Sequence, residues 1–264
     1  MMRVFWIVLV LVLVCATPVW AHDCWLQPDH FKIGLDTFLI VRLLVGDTLK
    51  REKELPLETK MTSRLSLFTR TKQLDLLPLL DEANLPAITI LPSDSGTGLV
   101  AMDRNFTDII LKNDKFSSYI TGEHHSQLID RVQSNPRGCQ KEEYARCIKT
   151  IFHVGEDPYA QEIASQAIGQ KLEIILLSCP KHPDPVRVKV LFDNKPLPQK
   201  TVTALMQNRG IVSQTAITGE DGEAVFKNMG SGLWLIRLVH LFPCEEARDI
   251  DWTSYWASFC FQMT

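Results

Sequence analysis

His22 directly follows Val19-Trp20-Ala21, the small-residue ending at which a signal peptidase cuts. Arg3 supplies the positive start of that leader and Val4 to Val14 its apolar core, a run shorter than the ~20 residues that cross a bilayer. Cleavage after Ala21 makes His22 the first residue of an exported chain, periplasmic or secreted. Its α-amino group and imidazole can then close a small chelate ring on one metal ion. Such nitrogen donors suit nickel, cobalt and copper, so a divalent transition metal is the expected cofactor. Asp23 offers a neighbouring carboxylate. His240 is the second imidazole candidate: within Leu233 to Leu241 it shares the alternate face of Trp234, Ile236 and Leu238, opposite Arg237. That placement suits a metal ligand or a buried, hydrogen-bonded histidine, and the residues leave both readings open. The adjacent His124 and His125 point different ways on any regular element and read as a solvated pair. His30, His153 and His182 fall at segment ends or near prolines in expected loops.

Outside the leader lie Cys24, Cys139, Cys147, Cys179, Cys244 and Cys260. An even number in an exported chain points to disulfides, with connectivity open. Cys139 with Cys147, closing a short loop, costs the least chain entropy. No CxxC spacing suggests a zinc ribbon or redox pair. Enzyme signatures are also missing: the chain has no GxSxG elbow, HExxH helix, Walker loop or GxGxxG fingerprint. Ser95-Gly96-Thr97-Gly98 is a glycine-containing turn that only imitates a phosphate loop, and Asn105-Phe106-Thr107 matches a glycosylation sequon by chance. A non-enzymatic protein is expected. With 28 Lys+Arg against 31 Asp+Glu the chain lacks the basic surface that nucleic acid requires, so nucleic acid is not an expected partner.

These residues must be positioned by a mainly β chain. Short apolar runs at Thr37 to Val45, Arg64 to Phe68, Ala87 to Leu91, Leu99 to Met102 and Thr107 to Leu111 predict an N-terminal β-rich domain over 22–112. A helical stretch from Asp114 to Val132, a polar loop at residues 134–138 and an ambiguous segment from Lys141 to Val154 form a mixed connecting region over 113–170. From residue 171 to 264 the β signal strengthens. Val186, Val188 and Val190 alternate with Arg187 and Lys189, and Thr201 to Gln207 and Ile211 to Thr218 flank the turn Asn208-Arg209-Gly210. With Leu172 to Leu177, Ala224 to Met229, Leu233 to Phe242 and Tyr255 to Gln262, they predict an antiparallel sandwich of immunoglobulin or prealbumin type. Trp25, Trp234, Trp252 and Trp256 read as its core or edge aromatics.

The stretches AHDCWLQP (21–28), LEIILLSCP (172–180), VLFDNKPLPQKTV (190–202), TGEDGEAVF (218–226), GLWLIRLVHL (232–241) and WTSYWASFCF (252–261) carry a resemblance. The mature chain resembles an exported bacterial family of unknown function often described as a periplasmic component of nickel or cobalt uptake. The resemblance implies a periplasmic protein with a C-terminal β-sandwich, a transport-linked metal function and a membrane metal-uptake system as partner. It also moves His240 towards ligation, because a histidine in this Trp-containing strand belongs to the shared motif. Cys24 stands where the family usually has an aromatic residue and Cys260 where it usually has a hydroxyl, and these two departures together imply a Cys24–Cys260 pair. The leading expectation is binding of a divalent transition metal for uptake or delivery. Its competitors are a structural or ligand-binding β-sandwich module without metal and a copper-dependent oxidoreductase.

Overall fold

The computed structural model describes residues 22–156, 160–178, 184–246 and 248–263; the leader, Cys179 and His182 lie outside them. The chain is mainly β. Its strands are β1 (Asp23–Pro28), β2 (Lys32–Ile33), β3 (Leu39–Asp47), β4 (Lys50–Leu55), β5 (Thr62–Phe68), β6 (Gln73–Asp75), β7 (Ile88–Ile90) and β8 (Gly96–Lys112). The helices α1 (Asn113–Gly122) and α2 (Ile129–Gln133) follow, then β9 (Cys139–Val154) and α3 (Ala160–Ala164). The last part holds β10 (Leu172–Leu176), β11 (Val186–Phe192), β12 (Lys195–Pro196), β13 (Thr201–Gln207), β14 (Ile211–Ile217), β15 (Glu223–Phe226), β16 (Gly232–Pro243) and β17 (Trp252–Met263).

A central sheet ordered β14-β13-β16-β17-β9-β8-β5-β6 takes strands from both sides of residue 171, with β2 added to the end of β9. Its pairings are antiparallel except β17 with β9 and β2 with β9, which are parallel. The parallel contact stitches the C-terminal strand to the middle of the chain, Trp252 opposite Glu142 and Cys260 opposite Thr150.

Side-chain alternation gives this sheet two different faces. On one, Trp234, Ile236 and Leu238 of β16, Phe259 and Phe261 of β17 and Leu99 of β8 pack against Ile174, Val188 and Val190 of a smaller sheet formed by β10, β11, β12 and β15. That is the C-terminal antiparallel sandwich. On the other face, Val100, Met102, Ile148 and Phe152 pack against Leu26, Val41 and Leu43 of a four-stranded sheet made from β1, β3, β4 and β7. Beyond the end of that sheet the helices cover the same face, where Phe116, Tyr119 and Ile120 of α1, spaced three and four apart, meet Val239, Leu241, Trp252 and Trp256.

The structure corrects three sequence expectations locally. The apolar runs at 99–102 and 107–111 are one strand, β8, interrupted by an irregularity between Arg104 and Thr107. The ambiguous segment 141–154 is extended throughout, because β8 and β17 flank it on both edges. His125 is not solvated: it is buried, and its Nε2 lies 2.9 Å from the Val239 carbonyl.

Candidate functional site

The four-stranded sheet and the α1 helix do not meet completely, and between them the central sheet forms the floor of a cavity of about 920 Å³. β1, β3 and β4 supply one wall, β8 beyond its irregularity another, and α1, β9 and β17 the floor and far end. A bulge between Val45 and Gly46 bends β3 beside the mouth. A side chain at Gly46 would put its Cβ 1.9 Å from the Lys50 carbonyl oxygen, so the tight turn into β4 depends on that glycine.

The floor is built around Glu142, which is 2 % exposed. β9 points Glu142, Tyr144 and Arg146 to the cavity side, two residues apart. The Tyr119 hydroxyl donates to Glu142 Oε1 at 3.0 Å, and the Ser254 hydroxyl donates to the same oxygen. Trp256 Nε1 in turn donates to Ser254 Oγ at 3.1 Å. Burial pushes the Glu142 carboxyl up to about 7, against the pull of the Ser254 and Tyr119 hydroxyls and the Arg146 charge. Burial and the neighbouring Glu142 push the Tyr119 phenol well above its ordinary range. The rings of Tyr119 and Trp256 stack, with centroids 5.7 Å apart and 9° between planes. The Arg146 guanidinium lies 5.1 Å from the Trp256 ring centroid and 5.3 Å from that of Tyr144.

Arg146 also ties down the backbone at His22, the first of the described residues. Both its terminal nitrogens donate to the His22 carbonyl at 3.3 Å. His22 stands at the cavity wall with its Nε2 3.5 Å from Glu52 Oε2, both side chains being about half-exposed. Asp23 points away, as the next residue of an extended chain must. It is buried against Arg237, Oδ1 to Nε 2.9 Å, and burial raises its carboxyl to about 6 even though Arg237 opposes the shift. Arg237 is shared with Glu123 at 2.6 Å.

His240 lies on the opposite face of the central sheet. Its ring packs edge-on against Phe192 at 4.5 Å and beside Phe242 at 5.2 Å, at the end of the sandwich core. Burial, with Lys200 and His125 adding to it, pushes the imidazole down to about 3, and its buried Nδ1 has no hydrogen-bond partner among the described residues. The thickness of the sheet thus separates His240 from His22 and Asp23. Among the described residues no three His, Cys, Asp or Glu side chains converge as a ligand set.

Residues 19–241 match the family described as a domain of unknown function, DUF4198. The chain belongs to that family. No curated protein matches it. Among solved structures it is similar to the D0-D1 domain of intimin, with 9% identity over 89% of this chain and 96% of that one and a TM-score of 0.21, too low to carry an argument.

In this DUF4198 chain the expected disulfides do not form among the described residues. Cys24, Cys139, Cys147, Cys244 and Cys260 all hold free thiols. Cys139 and Cys147 lie on the single strand β9, eight residues apart, so a rise of ~3.3 Å per residue separates them by roughly 26 Å. A disulfide tolerates no more than about 7 Å between Cα atoms. Cys24 packs with Leu26 in one cluster, whereas Cys260 packs with Trp25 in another, so the two thiols face different surroundings although Ser258 Oγ donates to the Cys24 carbonyl at 2.7 Å. Cys244 accepts a weak contact from Arg248 at 3.6 Å.

Sequence reasoning singled out His22 but missed Glu142, Tyr119, Arg146 and Glu52. The available signal for Glu142 was an acid inside a stretch that could have been a strand: had Lys141 to Val154 been assigned as one, alternation would have placed Glu142 on the same face as Ile148 and Phe152.

Proposed function

We propose that the mature chain, beginning at His22, binds one divalent transition metal ion, nickel, cobalt or copper, in the periplasm and passes it to a membrane uptake system. The observation that carries this reading is the direction of the His22 ring. Its Nε2 faces the Glu52 carboxylate at 3.5 Å, an arrangement that favours the proton on Nε2 and leaves the Nδ1 lone pair free. Nδ1 is the nitrogen that closes a six-membered ring with the α-amino group of the same residue. Arg146, holding the His22 carbonyl, steadies the backbone from which both donors spring. Because the described side chains form no ligand cluster by themselves, the amine is the donor on which the proposal depends. The amine and imidazole leave further coordination positions for solvent or a delivered ligand, as suits a carrier that must release its ion. The fit to amine and imidazole chemistry, and the resemblance to a metal-uptake family, support this reading over a purely structural module.

Calorimetry with Ni(II) and Cu(II) tests it. Protein starting at His22 is expected to bind one ion per chain, copper tighter than nickel, with affinity falling as pH is lowered because the ion displaces protons from both donors. Protein retaining one extra residue before His22 has an amide in place of the amine and is expected to lose the site. Equal affinity and equal pH dependence for the two proteins would refute the N-terminal chelate.

A further inference from the structure

We propose that the cavity behind His22 is a binding site for a small organic amine, whose ammonium is held by Glu142 and whose apolar body lies against Val45, Leu55, Ile109 and Leu111. This assignment does not rest on the metal reading, since it concerns the floor of the cavity rather than the amino terminus.

The size of the space fits, because about 920 Å³ lies within the ~300–1,000 Å³ usual for small-molecule sites. The chemistry of the floor narrows the class. Glu142 Oε1 already accepts from Tyr119 and Ser254, while Oε2, the other half of the carboxyl, accepts from no described residue. A ligand N–H in the cavity can donate to the oxygen that the described residues leave without a donor. The charges on the walls favour a cation for the same purpose. Asp47, Glu52 and Glu142 line the cavity, and the two arginines beside them are engaged: Arg104 Nη2 is 2.5 Å from Glu58 Oε2, and Arg146 is bound to the His22 carbonyl and laid over Trp256 and Tyr144. An anionic ligand would meet three carboxyl groups against one guanidinium nitrogen, Arg104 Nη1, that has no partner among the described residues, whereas an ammonium meets carboxyl groups in the majority. Among the described residues Glu142 belongs to no group of three His, Cys, Asp or Glu side chains that could hold a metal ion on the floor. The aliphatic side chains of β3, β4 and β8 then require that the rest of the ligand be apolar.

The experiment uses chelator-treated, metal-free protein starting at His22, at pH 8, and three probes of nearly equal shape: tryptamine, its neutral alcohol analogue tryptophol and the anionic indole-3-propionate. Calorimetry is expected to show one tryptamine per chain, bound at least tenfold more tightly than either analogue. Glu142→Gln is expected to erase that tenfold preference, and Thr107→Trp, which fills the cavity from the half-exposed far part of β8, to abolish binding of all three; cooperative melting of each variant verifies folding. Absence of saturable tryptamine binding, equal binding of the three probes, or tryptamine binding that survives both substitutions would overturn the proposal. The Met-extended protein is expected to bind tryptamine unchanged, so loss of the metal site and loss of the amine site are separate results.

Discussion

Glu142 makes the stability of this protein depend on pH in an unusual direction. In the unfolded chain a glutamate titrates at 4.5, and in the folded chain burial raises Glu142 to about 7. The groups that face it are the Tyr119 and Ser254 hydroxyls, the Arg146 cation, which lowers its pKa, and Glu123, which raises it. Because the folded value is the higher one, the contribution of Glu142 is complete below about 4.5 and is lost as pH rises through about 7. Between those limits the native state holds a proton that the unfolded state releases, so stability falls with pH. A shift of this size at ~1.4 kcal/mol per pKa unit corresponds to about 3 kcal/mol. For a chain of this length that is a change in Tm of roughly 10 °C. Asp23, raised to about 6 by burial, pushes in the same direction, and carboxylates with lowered values, such as Glu143 and Asp29, push the other way. The wild-type profile is therefore a sum, and the informative quantity is its difference from Glu142→Gln. The glutamine carbonyl can still accept from Tyr119 and Ser254 but cannot ionise. Urea unfolding of both proteins from pH 4.5 to pH 8 is expected to show the variant gaining about 3 kcal/mol on the wild type across the interval, most of it below pH 7. Parallel profiles would show that Glu142 is ionised at ordinary pH in the folded protein, and the account of a desolvated carboxyl at the cavity floor would be wrong.

Further consequences are open to the same kind of measurement. Lys149 and Glu173 form a fully buried ion pair at 2.9 Å, and Glu173 also accepts from the backbone N–H groups of Ile168, Gly169 and Gln170 at 2.8, 2.9 and 3.2 Å. Glu173→Gln, which leaves a buried lysine and too few acceptors, is expected to cost about 3–5 kcal/mol, and Lys149→Met less, because the three N–H groups still hold the carboxylate; thermal melts showing the reverse order would contradict this reading. His240→Phe removes a buried nitrogen that has no partner among the described residues and is expected to leave metal affinity unchanged and to keep or raise stability by up to ~1 kcal/mol; a lost metal isotherm would move the site to His240. Thiol labelling of native protein is expected to modify Cys139 and Cys244, which are partly exposed, and to spare the buried Cys24, Cys147 and Cys260. A Cys139–Cys147 linked peptide in an unreduced digest would require β9 to be broken.

Local pattern was enough wherever a strand buries one face and ends at a turn. Thr201–Gln207 begins and ends where alternation and the Asn208-Arg209-Gly210 turn place it, and the strand at Val186 and the helix beginning near Asp114 were equally legible. The mainly β class with a C-terminal antiparallel sandwich followed from such elements. β4 was not legible, since Lys50–Leu55 is almost wholly charged and is extended only because it continues the tight turn out of β3 and pairs with it. The segment after Cys139 was undecidable by periodicity because its strand is covered on both faces, and that one ambiguity let two cysteines eight residues apart on β9 be read as neighbours. The cavity depended wholly on tertiary structure: Val45, Tyr119, Glu142 and Trp256 come from four elements, and nothing in their spacing announces that they meet. What brings them together is the parallel pairing of β17 with β9, a contact between segments about a hundred residues apart. Sequence alone could only nominate His22, from local features, as a candidate ligand; its place at the rim of the cavity was decided by the fold. The buried acid behind it became visible only in the fold, because desolvation is a property of everything packed around a side chain and not of its neighbours along the chain.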